Sequence, residues 1–277
     1  MFIRLLIGSS LLFLSGCCFP FGCSDPKVWV SEEEDLVLSA AEVQAMDTET
    51  YNGGITYTAV EGAPEFKVHI EKKAGGKTDL DAKAAMAEIR IVTDASGGIQ
   101  QLKSRWIDPD RARDNRWQAR VSFTITGPAD LQLQAKTYNG TLDATGIKGD
   151  VELVTYNGSI RMTRHAGKLR LETYNGNIDV ESTCPDLDVE TYNGDTRVIL
   201  GDSPTLKGSA KSYNGSIQLM LKGEPSTTIT ASTTNGQIAT DKPMKIESLS
   251  RSRVEAVLGE GKDHLNLKTY NGNIVIQ

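Results

Sequence analysis

The sequence predicts an all-β fold: a single-stranded, right-handed parallel β-solenoid of about 18–21 residues per coil, with a short helix in its N-terminal part. Three observations carry this reading. A Tyr-Asn-Gly corner recurs through the chain at Tyr51, Tyr138, Tyr156, Tyr174, Tyr192, Tyr213 and Tyr270, with a degenerate copy at Thr233-Thr234-Asn235-Gly236. From Tyr138 the steps are 18, 18, 18, 21 and 21 residues, then 36 from Thr234 to Tyr270. The residues around each corner alternate apolar and polar with period two, as half-buried strands do.

The alternation fixes an inside and an outside. Five residues before each Tyr stand Leu133, Val151, Leu169, Leu187, Gly208, Ile229 and Leu265; three before stand Ala135, Leu153, Leu171, Val189, Ala210, Ala231 and Leu267. Four after stand Leu142, Ile160, Ile178, Thr196, Ile217, Ile238 and Ile274. Inward parity is odd before the Tyr and even after it, so one residue is consumed at a corner. The Asn-Gly pair is assigned to that corner at Asn139, Gly140, Asn157, Gly158, Asn175, Gly176, Asn193, Gly194, Asn214, Gly215, Asn271 and Gly272. The reason given by the sequence is that Gly reaches positive φ without cost and Asn tolerates αL. An Asn-Gly pair also suits an antiparallel hairpin, but a meander turns roughly every 8–12 residues with mixed chemistry. Stacked parallel coils explain one turn per 18 residues. The 36-residue step reads as two periods, with an unmarked coil near Ser248–Leu258.

Stacking places equivalent residues about 4.8 Å apart, so the Asn amides can form a ladder. Five after each Tyr the outward column runs Asp143, Arg161, Asp179, Arg197, Gln218, which suits cross-coil ion pairs of about 0.2–1 kcal/mol each.

Upstream of the repeat, residues 1–16 read as a lipoprotein signal peptide. Arg4 precedes an apolar run, Leu5 to Leu14, that is shorter than the roughly 20 residues a membrane span needs. The run ends in Leu14-Ser15-Gly16-Cys17, which looks like a bacterial lipobox with Cys17 as the acylated residue. Residues 17–36 are expected to be the lipidated Cys and a tether, although Val28-Trp29-Val30 could start a strand. Cys18 and Cys23 could pair in an oxidising compartment. The address is then the bacterial cell envelope, lipid-anchored, at the outer membrane of a diderm.

Residues 37–130 are expected to hold N-terminal coils and a capping region, and residues 131–277 the repetitive solenoid. Asp79–Glu88 is Ala-rich and reads as the short helix with Asp79 as N-cap. Between the expected strands Ile89–Thr93 and Arg120–Thr126 lies a charged loop with two Trp, Trp106 and Trp117. Its two readings are a polyanion- or glycan-binding loop and a solvated turn whose rings pack on the solenoid end.

Composition excludes several classes. Lys+Arg is 30 against Asp+Glu 36, a net charge of −6, which argues against nucleic acid. His69, His165 and His264 fall at unrelated repeat phases, so the sequence suggests no metal site, no cofactor and no triad. Asp143, Asp179, Asp186, Asp188 and Asp195 are the carboxylates that a polysaccharide-degrading solenoid could use, but Arg, Thr or Ser interrupts their columns. Catalytic residues are therefore assigned to none. The Asn-Gly-Thr and Asn-Gly-Ser triplets match a glycosylation acceptor but are corner residues. The outward Tyr138, Tyr156, Tyr174, Tyr192 and Tyr213 read either as a structural ladder or as a ligand strip for a glycan or an envelope protein.

The order of a strand, a Gly-Pro and serial Leu-x-Leu-x-Thr-Tyr-Asn-Gly-x-Ile-x-Val coils resembles the bacterial putative-adhesin domain family of unknown function. So does the ending, Val257-Leu258-Gly259-Glu260-Gly261 followed by Leu265 to Ile274. The resemblance spans residues 37–277 and is most specific over 130–277. It implies a β-helical envelope protein with no known active site. The sequence thus points to a lipid-anchored, non-enzymatic envelope protein with a structural or adhesin-like surface. A carbohydrate-active enzyme and an envelope-stress signalling accessory are the alternatives.

Overall fold

The computed structural model describes residues 27–108 and 117–277. The signal peptide, Cys17, Cys18, Cys23 and the middle of the charged loop lie outside the described residues. The rest is nearly all strand, arranged as two facing sheets of 11 and 12 strands. Each coil gives one strand to each sheet, joined at the Asn-Gly corner. In the coil of Tyr156, Val151–Asn157 runs up to the corner and Ile160–His165 leaves it. Register is one-to-one: Val151 pairs with Leu133 on one side and Leu169 on the other, and Ile160 with Leu142 and Ile178. The inward columns read from the sequence are the core, with Leu133, Leu153, Leu171, Ile160 and Ile178 all buried.

At most corners the cause differs from the one the sequence suggests, and only Gly53 and Gly215 take the expected positive φ. No corner Asn adopts positive φ, and neither do Gly140, Gly158, Gly176, Gly194 or Gly272. Glycine is required by close approach instead. A Cβ on Gly158 would sit 1.9 Å from the Gly140 carbonyl oxygen, and one on Gly176 would sit 2.0 Å from that of Gly158.

The coils do not stack in chain order. The coil of Tyr51 lies directly on that of Tyr138. At the other end, Asp263–Asn271 pairs with Lys207–Asn214 on one side and Thr227–Asn235 on the other. The last coil of the chain is thus inserted between the coils of Tyr213 and Thr234. The expected unmarked coil near Ser248–Leu258 is absent from this arrangement. Lys245–Leu249 and Arg253–Leu258 form an antiparallel hairpin, and the second strand runs antiparallel along Thr227–Asn235. Only that second strand alternates, burying Val254, Ala256 and Leu258. The segment can therefore cover an edge but cannot contribute two walls of a coil.

The N-terminal end is also partly antiparallel. Ile99–Trp106 and Gln118–Pro128 run parallel to the two strands of the Tyr51 coil. They extend each sheet by one strand, as a further coil would. Glu65–Gly76 and then Val28–Ser39 add antiparallel strands outside Gln118–Pro128. Residues 28–36, expected as tether, are therefore sheet. Leu36 and Leu38 pack on the main core, and Val30 packs on the small cluster of Ala74, Ala85 and Met86. The helix is Asp79–Ala87, as the Ala-rich pattern indicates, but its N-cap is Thr78. Thr78 and Asp81 form a reciprocal capping box, a better solution than Asp79 alone. Among the described residues no helix is long and apolar enough to cross a membrane.

Candidate functional site

The tetrapeptide Thr-Tyr-Asn-Gly puts each residue to separate use. The Thr hydroxyl points inward and donates to the Gly carbonyl of the neighbouring coil: Thr155 to Gly140 at 3.1 Å, Thr173 to Gly158 at 2.9 Å and Thr191 to Gly176 at 2.9 Å. The Asn amides form an unbroken ladder in which each Nδ2 donates to the next Oδ1 at 2.7–2.8 Å. It begins with Asn52 Nδ2 donating to the Ala119 carbonyl and ends at Asn235. All donors point one way, so the bonds can polarise one another. Satisfying these amides leaves the Tyr outside.

The Tyr rings form one column in the order Tyr51, Tyr138, Tyr156, Tyr174, Tyr192, Tyr213, Tyr270. Centroids are 4.7–5.0 Å apart and the planes lie within 0–4° of parallel. The expected strip of five is thus extended at both ends, by Tyr51 and by the inserted Tyr270. Each inner ring is about 40 % exposed, but a ring between two parallel neighbours at this spacing has no face open to a ligand. The column offers ring edges and hydroxyls. Those hydroxyls have no hydrogen-bond partner among the described residues.

Beside the column runs a groove of about 1150 Å³. Tyr51, Tyr138, Tyr156, Tyr174 and Tyr192 line one side, and the residues two positions before them, Glu49, Lys136, Val154, Glu172 and Glu190, line its floor. Trp106, Trp117 and Arg105 stand at its N-terminal end. Trp106 ends one of the two strands that extend the stack past the Tyr51 coil and Trp117 immediately precedes the other, which is why both arrive beside the Tyr column. They also pack on the Ala74–Met86 cluster, as the solvated-turn reading expects. The sequence treats strip and loop separately because nothing in the spacing shows that Ile99–Pro128 is a coil. The charges in the groove nearly balance. Arg105 bonds Glu49 at 2.7 Å, Arg170 lies 3.5 Å from Glu172, and Lys211 pairs with Glu190 at 3.7 Å. The surface suits an uncharged chain better than a polyanion.

Of the carboxylates set aside for an enzyme, only Asp186 and Asp188 line one groove together. Asp186 pairs with Lys207 at 3.5 Å, Asp188 accepts from the Ser209 hydroxyl at 2.8 Å, and Asp195 accepts from the Ser216 amide at 2.8 Å. Asp143 and Asp179 lie on the other sheet. Of the alternating column, Arg197–Asp179 closes to 3.3 Å. Asp143 keeps a raised pKa from burial, which Arg161 only partly offsets. His165 is buried at a far corner between the Gly149 carbonyl, 3.0 Å from Nε2, and the Ser182 hydroxyl, 3.2 Å from Nδ1. Burial lowers its pKa and favours the neutral ring. Cys184 is a buried free thiol whose pKa burial raises.

Comparison with known proteins gives two findings. A family model described as Toastrack DUF4097 matches residues 115–277. Among solved structures, a putative adhesin from Bacteroides fragilis NCTC 9343 is 12 % identical with a TM-score of 0.44, covering 88 % of this chain and 97 % of that one. A putative cell adhesion protein from Clostridium sporogenes ATCC 15579 is 12 % identical at TM-score 0.35, covering 89 % and 98 %. A putative lipid binding protein from Parabacteroides distasonis ATCC 8503 is 11 % identical at TM-score 0.32, covering 89 % and 96 %. No curated protein matches.

Proposed function

The chain belongs to the Toastrack DUF4097 family, and from that premise we propose a non-enzymatic, adhesin-like envelope protein, lipid-anchored through Cys17, whose Tyr groove binds an extended, uncharged glycan. The observation that carries the reading is the groove itself. It runs along the solenoid axis beside five Tyr and ends against Trp106 and Trp117. A groove lined by the same repeat positions of successive coils suits a polymer better than a compact substrate. Its near-balanced charge favours a neutral chain, and its row of hydroxyls offers repeated hydrogen bonds. The Trp end supplies apolar aromatic surface of the kind that packs on a sugar ring. The anchor rests on the Leu-Ser-Gly-Cys sequence and the short apolar run before it.

Because the ring faces are covered, structure and binding can be separated by removing only the hydroxyls. The triple variant Tyr156→Phe, Tyr174→Phe, Tyr192→Phe keeps the stack and should melt within about 1 kcal/mol of the parent. On a glycan array it should lose signal that the parent retains. A parent that binds no glycan, or a triple variant that binds as the parent does, overturns the groove reading. For the anchor, Cys17→Ser should leave the detergent phase in a partition experiment or remain unprocessed. Normal processing with unchanged partitioning would remove lipid attachment.

A further inference from the structure

The outermost antiparallel pair carries a cluster on the opposite sheet from the strands that bear the Tyr column. Strand Val28–Ser39 pairs with Glu65–Gly76 so that Glu33 stands directly opposite Glu71, and Asp35 directly opposite His69. Strand alternation puts all four on one face. One ligand atom each from Glu33, His69 and Glu71 lies within 4.8 Å of the others. His69 Nδ1 lies 2.8 Å from Asp35 Oδ1.

We propose that Glu33, His69 and Glu71 form a binding site for a divalent first-row transition cation of the Zn²⁺ class, with Asp35 as the carboxylate that orients the His69 ring. Three features converge. First, the donor set of one imidazole and two carboxylates leaves a coordination position for water, and suits a borderline cation better than Mg²⁺ or Ca²⁺, which prefer all-oxygen sets. Second, Asp35 can only accept at Nδ1, so in the neutral ring Nε2 carries the lone pair. Metal-bound histidines commonly have a carboxylate behind them in this way. Nε2 has no other partner among the described residues. Third, two glutamates directly opposite each other on neighbouring strands repel. Lys73 lies 3.7 Å from Glu71 and is about half-exposed, so it offsets that repulsion only in part. A shared divalent ion removes that repulsion and ties the edge strand to its neighbour. Zn–O and Zn–N bonds of about 2.0–2.2 Å require ligand atoms about 3.4 Å apart in a tetrahedron. The present separations, within 4.8 Å, exceed that spacing by at most about 1.4 Å.

The sequence sets the histidines aside because they share no repeat phase. This site is not a repeat feature: it depends on an antiparallel pairing between residues about 36 positions apart, outside the solenoid register.

The test is calorimetric titration of ZnCl₂ into the intact chain with its accessible thiols alkylated, alongside thermal melts. One Zn²⁺ should bind per chain and raise the melting temperature, since a ligand bound only by the folded state stabilises it. His69→Ala and the double variant Glu33→Gln, Glu71→Gln should abolish both signals. Asp35→Asn should weaken binding about 10–100-fold while keeping the stoichiometry. Glu32→Gln, on the opposite face of the strand, should change neither. The proposal is overturned if His69→Ala titrates as the parent does, if the parent shows no saturable binding, or if MgCl₂ binds as tightly as ZnCl₂.

Discussion

Thr196 shows how far one residue departs from its column. The equivalent positions are Leu142, Ile160, Ile178, Ile217 and Ile274, all buried. Thr196 is buried too, and its hydroxyl has no hydrogen-bond partner. Leaving such a group unpaired costs about 1–3 kcal/mol. Thr196→Val keeps the shape and removes that cost, so it should raise stability by about 1 kcal/mol in urea unfolding. A fall in stability would show that the hydroxyl is satisfied after all. Gly208 looks like a similar defect, a missing side chain in a column of Leu, Val and Ile, but it is of the opposite kind. Its φ is +120°, and a Cβ would sit 1.9 Å from the Leu187 carbonyl oxygen. Filling that column would break the stack. The corner glycines obey the same constraint. Gly158→Ala would drive its methyl into the Gly140 backbone, which has no flexible atom to yield. It should cost about 3 kcal/mol or more by chemical denaturation. A change under about 0.5 kcal/mol would mean that the coils can part locally at no cost.

At the scale of the element, the unit is the coil. Each contacts its two neighbours through two parallel ladders, one Asn bond, one Thr-to-Gly bond and one ring stack, so interactions are nearest-neighbour. Deleting residues 156–173 removes one whole period and joins Thr155 to Tyr174. Asn175 would then meet Asn139 and Tyr174 would meet Tyr138, with both inward columns intact. The shortened chain should fold and melt cooperatively, with its circular dichroism spectrum retained. Deleting nine residues from the same stretch exchanges inward and outward sets beyond the cut, because the strand period is two. It should not fold. Equal tolerance of the two deletions would contradict the register seen here.

The whole molecule is decided at its ends. Its last coil sits between two coils made earlier in the chain, so Asn271 bonds Asn214 and Asn235 rather than ending the ladder. Closure must wait for the hairpin of residues 245–258 to form and for the chain to return, pairings of long sequence separation that fold slowly. Deleting residues 263–277 is then the loss of an inner coil. The coils of Tyr213 and Thr234 would both lose a neighbour, and buried Leu219, Ala210, Ile229 and Ala231 would be uncovered. Limited proteolysis should cut this variant between residues 222 and 262, well before the core. A variant as protease-resistant as the deletion of residues 156–173 would mean that the last coil behaves as an end piece. At the other end, Glu65–Gly76 and Val28–Ser39 close the stack with antiparallel strands, and Lys72 pairs with Glu32 and Glu34 at 3.3 and 3.4 Å. Charge on a blunt outer strand discourages edge-to-edge association.

The repeat by itself determined the coil, the period, the identity of every inward column, the Asn ladder and the outward Tyr column. These follow from local rules, since a residue 18 positions along meets its equivalent whatever lies elsewhere in the chain. The corner glycines were also legible, but their reason was not. Spacing shows that a small residue is needed and cannot show that a carbonyl lies beneath it. Tertiary structure alone decided three things. It set the order of the coils, because insertion of a strand between two others leaves no periodic trace. It brought Trp106 and Trp117 to the Tyr column, because the sequence between those strands carries no Asn-Gly marker of its phase. It placed Glu33, Asp35, His69 and Glu71 on one face, because an antiparallel pair aligns residues by the position of its distant turn and not by any repeat. In each case the information lies in which strands become neighbours, and hydrophobic alternation specifies a strand's buried face without specifying its partner.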